Sequence, residues 1–261
     1  MTKYKMQLGW GDTHMLNIEP LNNGYDEDAV FNAIGVALTE FYTSLTAKLD
    51  NINVDKILKR KNPYLYRAKG INNASQIVDG ILAAYISSSE ETLFGNSFFE
   101  PLAIVISGGQ KAVTEGVDIT VDKDNTIYSI AVKSGTSVFN ADSKKRQEQN
   151  FQSAQKRAQQ AHKAFFPVVG YGYGKKKTAP GKEKFYKELA GKDFWEWMTG
   201  DPNFYTKIIG YMGTRPDQYA KEFEEAYNKA ENRMVRQFTL KYCNEDGSIN
   251  WDGLLEFNSG D

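Results

Sequence analysis

The chain has 261 residues, with 32 lysines and arginines against 33 aspartates and glutamates, and a net charge of −1. That length suffices for one large domain or two small ones, and the composition is that of a soluble globular protein. A lone cysteine, Cys243, excludes a disulfide framework, and two histidines, His14 and His162, without paired Cys/His spacing argue against a zinc centre. No stretch approaches eighteen uninterrupted apolar residues, and residues 1–20 lack the basic start and apolar run of a signal peptide. A cytoplasmic location without a membrane span is therefore expected.

Taken in order, residues 26–49 place Val30, Ile34, Ala37, Leu38, Phe41 and Leu45 at helical spacing. Residues 50–61 continue in the same manner until Asn62-Pro63 interrupts them, and 63–67 reads as an extended or turn segment. Residues 73–87 form an apolar helix through Ile77, Ile81, Leu82, Ala84 and Tyr85. Ser88 or Ser89 then caps another helix, with Glu90 and Glu91 in its first turn and Phe94, Phe98, Leu102 and Val105 along one face. Glu91 lies along that apolar side, whereas Glu100 sits farther round. A favourable interaction with the helix dipole is a sufficient account of Glu90 and Glu91.

Residues 115–135 read as two short strands joined by a turn. The first, 116–121, alternates around Asp118; 122–125 carry the side chains of a tight turn; the second, 127–133, ends at Lys133 before Ser134-Gly135. Antiparallel pairing across that turn would bring Asp118 beside Lys133. An Asp and a Lys at adjoining strand ends suit metal-assisted phosphodiester cleavage. The carboxylate would hold a divalent ion, and the ammonium would orient a water and offset phosphate charge. Hard oxygen ligands suit Mg²⁺. By spacing alone, a solvent-exposed hairpin with one acid and one base is the commoner explanation.

A helix over 143–163 follows, its stripe of Phe151, Ala154, Ala158, Ala161 and Phe165 facing the core and Glu148 one turn earlier. Residues 167–174 read as a strand running into a glycine-rich turn. Nucleotide binding is disfavoured there, because no Gly-Lys-Ser/Thr ends the turn and no helix opens after Lys175, Lys176 and Lys177. Residues 191–195 start a helix that packs on the core, with Trp195 and Trp197 as core or subunit-interface residues rather than base-stacking platforms. Residues 204–212 form another, and 216–238 a longer charged one. A final small hairpin is expected after Asn244, turning at Asp246-Gly247. Between residues 141 and 192 thirteen bases face four acids, a surplus of nine on an otherwise acidic chain, as expected of a nucleic-acid face.

Val117-Asp118 followed by Ala131-Val132-Lys133-Ser134-Gly135 resembles the core of the PD-(D/E)XK nucleases. With its flanks the chain is similar to one group of type II restriction endonucleases, over roughly residues 62–215. The flanks are Ser87-Ser88-Ser89-Glu90-Glu91-Thr92-Leu93-Phe94-Gly95, Asn140, Gly170-Tyr171-Gly172-Tyr173-Gly174-Lys175 and Gly191-Lys192-Asp193-Phe194-Trp195. The resemblance implies a single α/β domain over 1–261 with a short mixed β-sheet flanked by helices. Its nuclease core would span about 73–175, with N-terminal helices at 26–61 and a C-terminal helical region at 183–240.

By the same resemblance, the chain would hydrolyse both strands of double-stranded DNA at a specific short sequence, with Mg²⁺, as a homodimer or higher oligomer. Asp118 would bind the metal, the Val132 carbonyl would add a ligand, and Lys133 would orient or activate water. The pattern's second acid belongs two residues before Lys133, where this chain has Ala131. In this superfamily several enzymes take that acid from the following helix, which makes Glu148 the replacement, with Glu91 a secondary candidate and Glu100 behind it. DNA contacts would come from Lys144, Lys145, Arg146, Lys175, Lys176 and Lys177. The alternatives are a repair or junction nuclease of the same core, a DNA-binding protein that has lost cleavage, or an interaction domain with an incidental hairpin.

Overall fold

The computed structural model describes residues 19–177 and 184–260. His14, the base Lys182 and acid Glu183 of the 141–192 segment, and all but the last two residues of the signal-peptide expectation over 1–20 lie outside them. The architecture is mixed α/β, with one five-stranded sheet flanked by helices. Strands β1 (Gln110–Lys111), β2 (Ile119–Lys123), β3 (Thr126–Lys133), β4 (Ala164–Tyr171) and β5 (Lys187–Ala190) lie in sequence order. The first three pair antiparallel and the last three parallel. β2 and β3 join through Asp124-Asn125, both at positive φ (50° and 59°), the two-residue turn whose twist matches that of a hairpin. The expected start at residue 116 is corrected. Gly116 has φ 69° and Val117 closes a turn onto Thr114, so the ladder begins at Ile119.

Among the helices, α1 (Glu27–Asp50) is capped by Asp26, and α2 (Val54–Leu58) by Asn53. Residues 63–67 are not extended: Asn62 caps α3 (Pro63–Ala68), and Pro63 occupies the first turn, where its missing N–H costs nothing. The larger correction concerns the serines. α4 (Ala74–Phe94) runs straight through Ser87, Ser88 and Ser89, continues as a π-helical turn (Gly95–Phe99) and resumes as α5 (Glu100–Ser107). Ser89 caps nothing; it is buried, with the Lys48 ammonium 3.4 Å from its hydroxyl. Glu90 and Glu91 therefore sit late in a long helix, and the dipole account of them fails.

After the hairpin, Asn140 and Ser143 cap α6 (Ala141–Gln160) reciprocally. α6 crosses over to the parallel strand β4, β5 leads into α7 (Lys192–Thr199) at Gly191, and α8 (Phe204–Met212) and α9 (Arg215–Tyr242) follow as expected. At the end, Cys243 and Ile249 make an isolated bridge around the Asp246-Gly247 turn, but the chain then forms α10 (Trp251–Ser259) rather than a second strand. Among the described residues no helix is long and apolar enough to cross a membrane.

Among the described residues, three apolar clusters form the core. Ile119, Val121, Ile130 and Val132 pack one sheet face against α1, the π turn, α5 and α7. Val117, Ala131, Val169 and Tyr171 pack the other against Phe151 and Ala154 of α6. α1 also extends Leu45 and Leu49 into a helical cluster with α2, α4, α9 and α10.

Candidate active site

The hairpin ladder ends at Ile119 and Ile130, and the bond from the Asp118 N–H to the Ile130 carbonyl (2.9 Å) closes it. Beyond that point the Val132 N–H has no backbone partner across the pair. It donates instead to Asp118 Oδ2 at 2.6 Å. Lys133 Nζ donates to the same oxygen at 3.1 Å and to the Val132 carbonyl at 2.9 Å. The structure thus brings Asp118, Val132 and Lys133 together at the end of β3. Both charged side chains remain partly exposed, 21% for Asp118 and 27% for Lys133, so a ligand can reach them.

Across from this pair stands the end of α4 with its π turn. Glu91, Asn96 and Glu100 join Asp118, Val132 and Lys133 around a cleft of about 280 Å³. An uninterrupted α-helix turns about 100° per residue and would set Glu91 and Glu100, nine positions apart, on opposite sides. The wider i→i+5 turn carries Glu100 back toward Glu91. Two residues explain its position. Pro101, in the first turn of α5, has no N–H to return to the preceding turn. Gly95 lies so close to the Ser134 hydroxyl that a Cβ would collide with it. Glu91 accepts a bond from Tyr173 Oη at 3.3 Å, and Glu100 pairs with Lys111 at 3.1 Å.

Other expected residues go elsewhere. Ala131, at the position of the pattern's second acid, is fully buried among Phe151, Val169 and Tyr171. Glu148 does not point toward the hairpin: it is exposed on α6, on the sheet face opposite α4, where its charge is felt by Tyr186. Its neighbour Gln147 turns inward and donates to the Gly116 carbonyl at 2.6 Å. One residue is 100° of helix, which suffices to exchange the inward side chain for the outward one. Lys144, Lys145, Lys175 and Lys177 are exposed. Arg146 is exposed but ion-paired to Glu115. Lys176 is drawn inward to Glu188 (3.2 Å) and over the Tyr171 ring (5.0 Å), so it is not presented to a phosphate.

Glu188 was not anticipated from the sequence, where it stood only as one acid among many lysines. Its side chain is 3% exposed on β5 and accepts from Tyr171 Oη at 2.7 Å, Lys184 Nζ at 2.5 Å and Lys176 Nζ at 3.2 Å. Burial pushes its carboxyl upward, but the bonds from Lys184, Tyr171 and Lys176 together outweigh this and hold it below the usual range. A depressed folded-state pKa contributes stability above the unfolded value that is lost as pH falls through the folded one. Glu188→Ala is expected to cost roughly 2–3 kcal/mol at neutral pH, measured by urea unfolding, because it strands a buried hydroxyl and two ammonium groups. The difference from the parent should shrink as the pH is lowered below the carboxylate range.

Among the described residues no three His, Cys, Asp or Glu side chains converge as a ready-made metal cluster. The donors around the cleft nonetheless suit a hard cation: the Asp118 carboxylate and Val132 carbonyl lie together, with Glu91 and Glu100 on the facing wall. Mg²⁺ uses one or two carboxylates and completes its shell with water and substrate phosphate oxygens, so the residues present fit it.

A mixed sheet with helices on both faces, and an acid and a lysine meeting at the end of its central hairpin, define a restriction-endonuclease-like core. The family model described as type II restriction endonuclease EcoO109I matches residues 28–224, well over half of the chain, and the chain belongs to that family. It is thus an endonuclease that binds DNA. No curated protein matches it significantly.

Proposed function

We propose that the chain cleaves both strands of double-stranded DNA at a specific short sequence, using Mg²⁺ at a PD-(D/E)XK-type site and acting in the cytoplasm as a homodimer or larger assembly. The observation that carries this is the Asp118–Lys133 pair, 3.1 Å apart and still open to a 280 Å³ cleft. A bound Mg²⁺ supplies Lewis acidity toward a phosphoryl oxygen and a more acidic water. Asp118 and the Val132 carbonyl would hold it. Lys133 orients the attacking water and offsets negative charge on the phosphate. Lys144, Lys145, Lys175 and Lys177 are exposed and can neutralise flanking phosphates. Cutting both strands of a twofold-symmetric site calls for two copies of the chain.

For the acid absent at Ala131, the cleft favours Glu91 or Glu100 over Glu148. Glu148→Gln should leave the cleavage rate within about twofold, since it removes only an exposed charge. Loss of the ligating carboxylate, by Glu91→Gln or Glu100→Gln, should slow cleavage by at least about tenfold. Single-turnover cleavage of a labelled duplex measures both; a large loss in Glu148→Gln alone would return the role to α6.

Digestion of plasmid DNA with Mg²⁺, followed by sequencing of the ends, tests the whole reading. Discrete bands with a shared end sequence support it, and a smear indicates a nuclease without sequence preference. The fully enclosed Ala131 favours one second reading, a DNA-binding protein that has lost cleavage. Intact plasmid together with duplex binding would establish that alternative.

A further inference from the structure

Past the end of β4 the chain leaves the alternation of the sheet. Tyr171 is buried on the face packed by α6, and in a continuing strand the residue two places on would share that face. Tyr173 lies instead toward α4, half exposed, with its ring 6.4 Å from that of Phe99. Two backbone bonds carry it there, from the Gly172 N–H to the Lys133 carbonyl (2.8 Å) and from the Tyr173 N–H to the Ser134 carbonyl (3.0 Å). Glycines clear the space: a Cβ on Gly135 would stand 2.6 Å from the Tyr173 ring, and one on Gly172 would stand 2.6 Å from Phe99. The ring is thereby set beside the strand end that carries Lys133, as part of the cleft wall.

From that place its hydroxyl donates to Glu91 Oε2 at 3.3 Å, and among the described residues this is the one hydrogen bond that the Glu91 carboxylate receives. Glu91 is otherwise an exposed side chain on α4. It also borders a second cavity of about 420 Å³, walled mainly by the rings of Phe41, Phe94, Phe99 and Tyr173. Glu100, on the same side of the cleft, is held differently, by the Lys111 ammonium at 3.1 Å. A cation arriving at Glu100 must displace another cation. At Glu91 it meets a carboxylate whose one partner is a neutral donor, so the full negative charge and the second oxygen are still available.

We infer that Tyr173 is a positioning residue for the Mg²⁺ site, its hydroxyl holding Glu91 in the cleft as the carboxylate that replaces the acid absent at Ala131. The inference rests on the proposed Mg²⁺-dependent reading and deepens it by choosing Glu91 over Glu100. A long exposed glutamate explores many rotamers, and ordering it at the moment of binding subtracts from metal affinity. A hydrogen bond from a side chain that is itself fixed removes part of that cost beforehand. Losing such an outer partner of a metal ligand typically weakens binding by about 10- to 100-fold. A single neutral bond at a half-exposed ring belongs at the lower end of that span.

The test reads Mg²⁺ affinity rather than cleavage. The full chain, Tyr173→Phe, Glu91→Gln and the double variant are each titrated calorimetrically with Mg²⁺ beside a duplex that none of them cuts. Phenylalanine keeps the ring against Gly135 and Phe99 and removes only the hydroxyl. Tyr173→Phe should weaken Mg²⁺ binding about tenfold with duplex affinity unchanged, and should add nothing once Glu91 is already Gln. Parental Mg²⁺ affinity in Tyr173→Phe overturns the inference, as does an equal loss in both backgrounds, which would mean that the ring acts on something other than Glu91. Unchanged affinity in Glu91→Gln overturns it too, while leaving Asp118 as metal ligand untouched. A parent with no saturable Mg²⁺ binding would sink the metal-dependent reading itself, and this inference with it.

Discussion

Asp118→Asn is expected to slow DNA cleavage by at least about a thousandfold while leaving duplex affinity within a few fold. The arithmetic follows from the site. Asp118 is the one carboxylate that shares its end of the cleft with Lys133 and the Val132 carbonyl, and a metal ion's charge stabilisation is worth several kcal/mol, each 1.36 kcal/mol being tenfold in rate. Asparagine keeps the shape, and its amide oxygen can still accept the Val132 N–H, so the end of the hairpin should survive. What disappears is the charge. Single-turnover cleavage with excess enzyme, beside a duplex-binding titration, separates loss of chemistry from loss of binding. A variant that cuts at the parental rate removes Asp118 from the mechanism.

Lys133→Met should be nearly as damaging, at about 10²- to 10⁴-fold in rate, the span associated with a positioned proton-transfer group. Methionine retains the length and apolar stem but not the ammonium that bridges Asp118 and the Val132 carbonyl. Thermal unfolding should hardly move, because a partly exposed ion pair is worth about 0–1 kcal/mol. A large rate loss with unchanged melting would mark Lys133 as chemical rather than structural. A large fall in melting temperature with near-parental activity would reverse that assignment.

The hairpin was legible in the sequence because a period of two and an Asp-Asn turn are local signals, and register then follows from turn length. Helices α1, α8 and α9 were legible for the same reason, each carrying a continuous apolar stripe. The far wall of the cleft was not. Three consecutive serines look like a helix start, yet Ser89 is buried and α4 passes through. Pro101 is a local signal for an irregular turn, but the close approach of Gly95 to Ser134 that accompanies the widening is tertiary. That turn moves Glu100 to the cleft, a change in direction no helical wheel contains.

Short strands β1 and β5 were missed because two and four residues give too little alternation to read, and their pairing partners lie far along the chain. With β5 went Glu188, which becomes special only once the sheet buries it between Tyr171 and the two lysines. The exchange of Glu148 for Gln147 has a similar origin. A stripe fixes the inward side of a helix to about one residue, and the bond from Gln147 to the Gly116 carbonyl decides between neighbours.

Isothermal titration of the chain with Mg²⁺ in the presence of duplex DNA, with Asp118→Asn titrated alongside, asks whether the cation sits beside Asp118. Saturable Mg²⁺ binding to the parent is expected, abolished or severely weakened in the variant, while both bind the duplex. Equal Mg²⁺ binding by the two proteins would contradict it, because the cation would then sit somewhere other than the cleft at the end of β3.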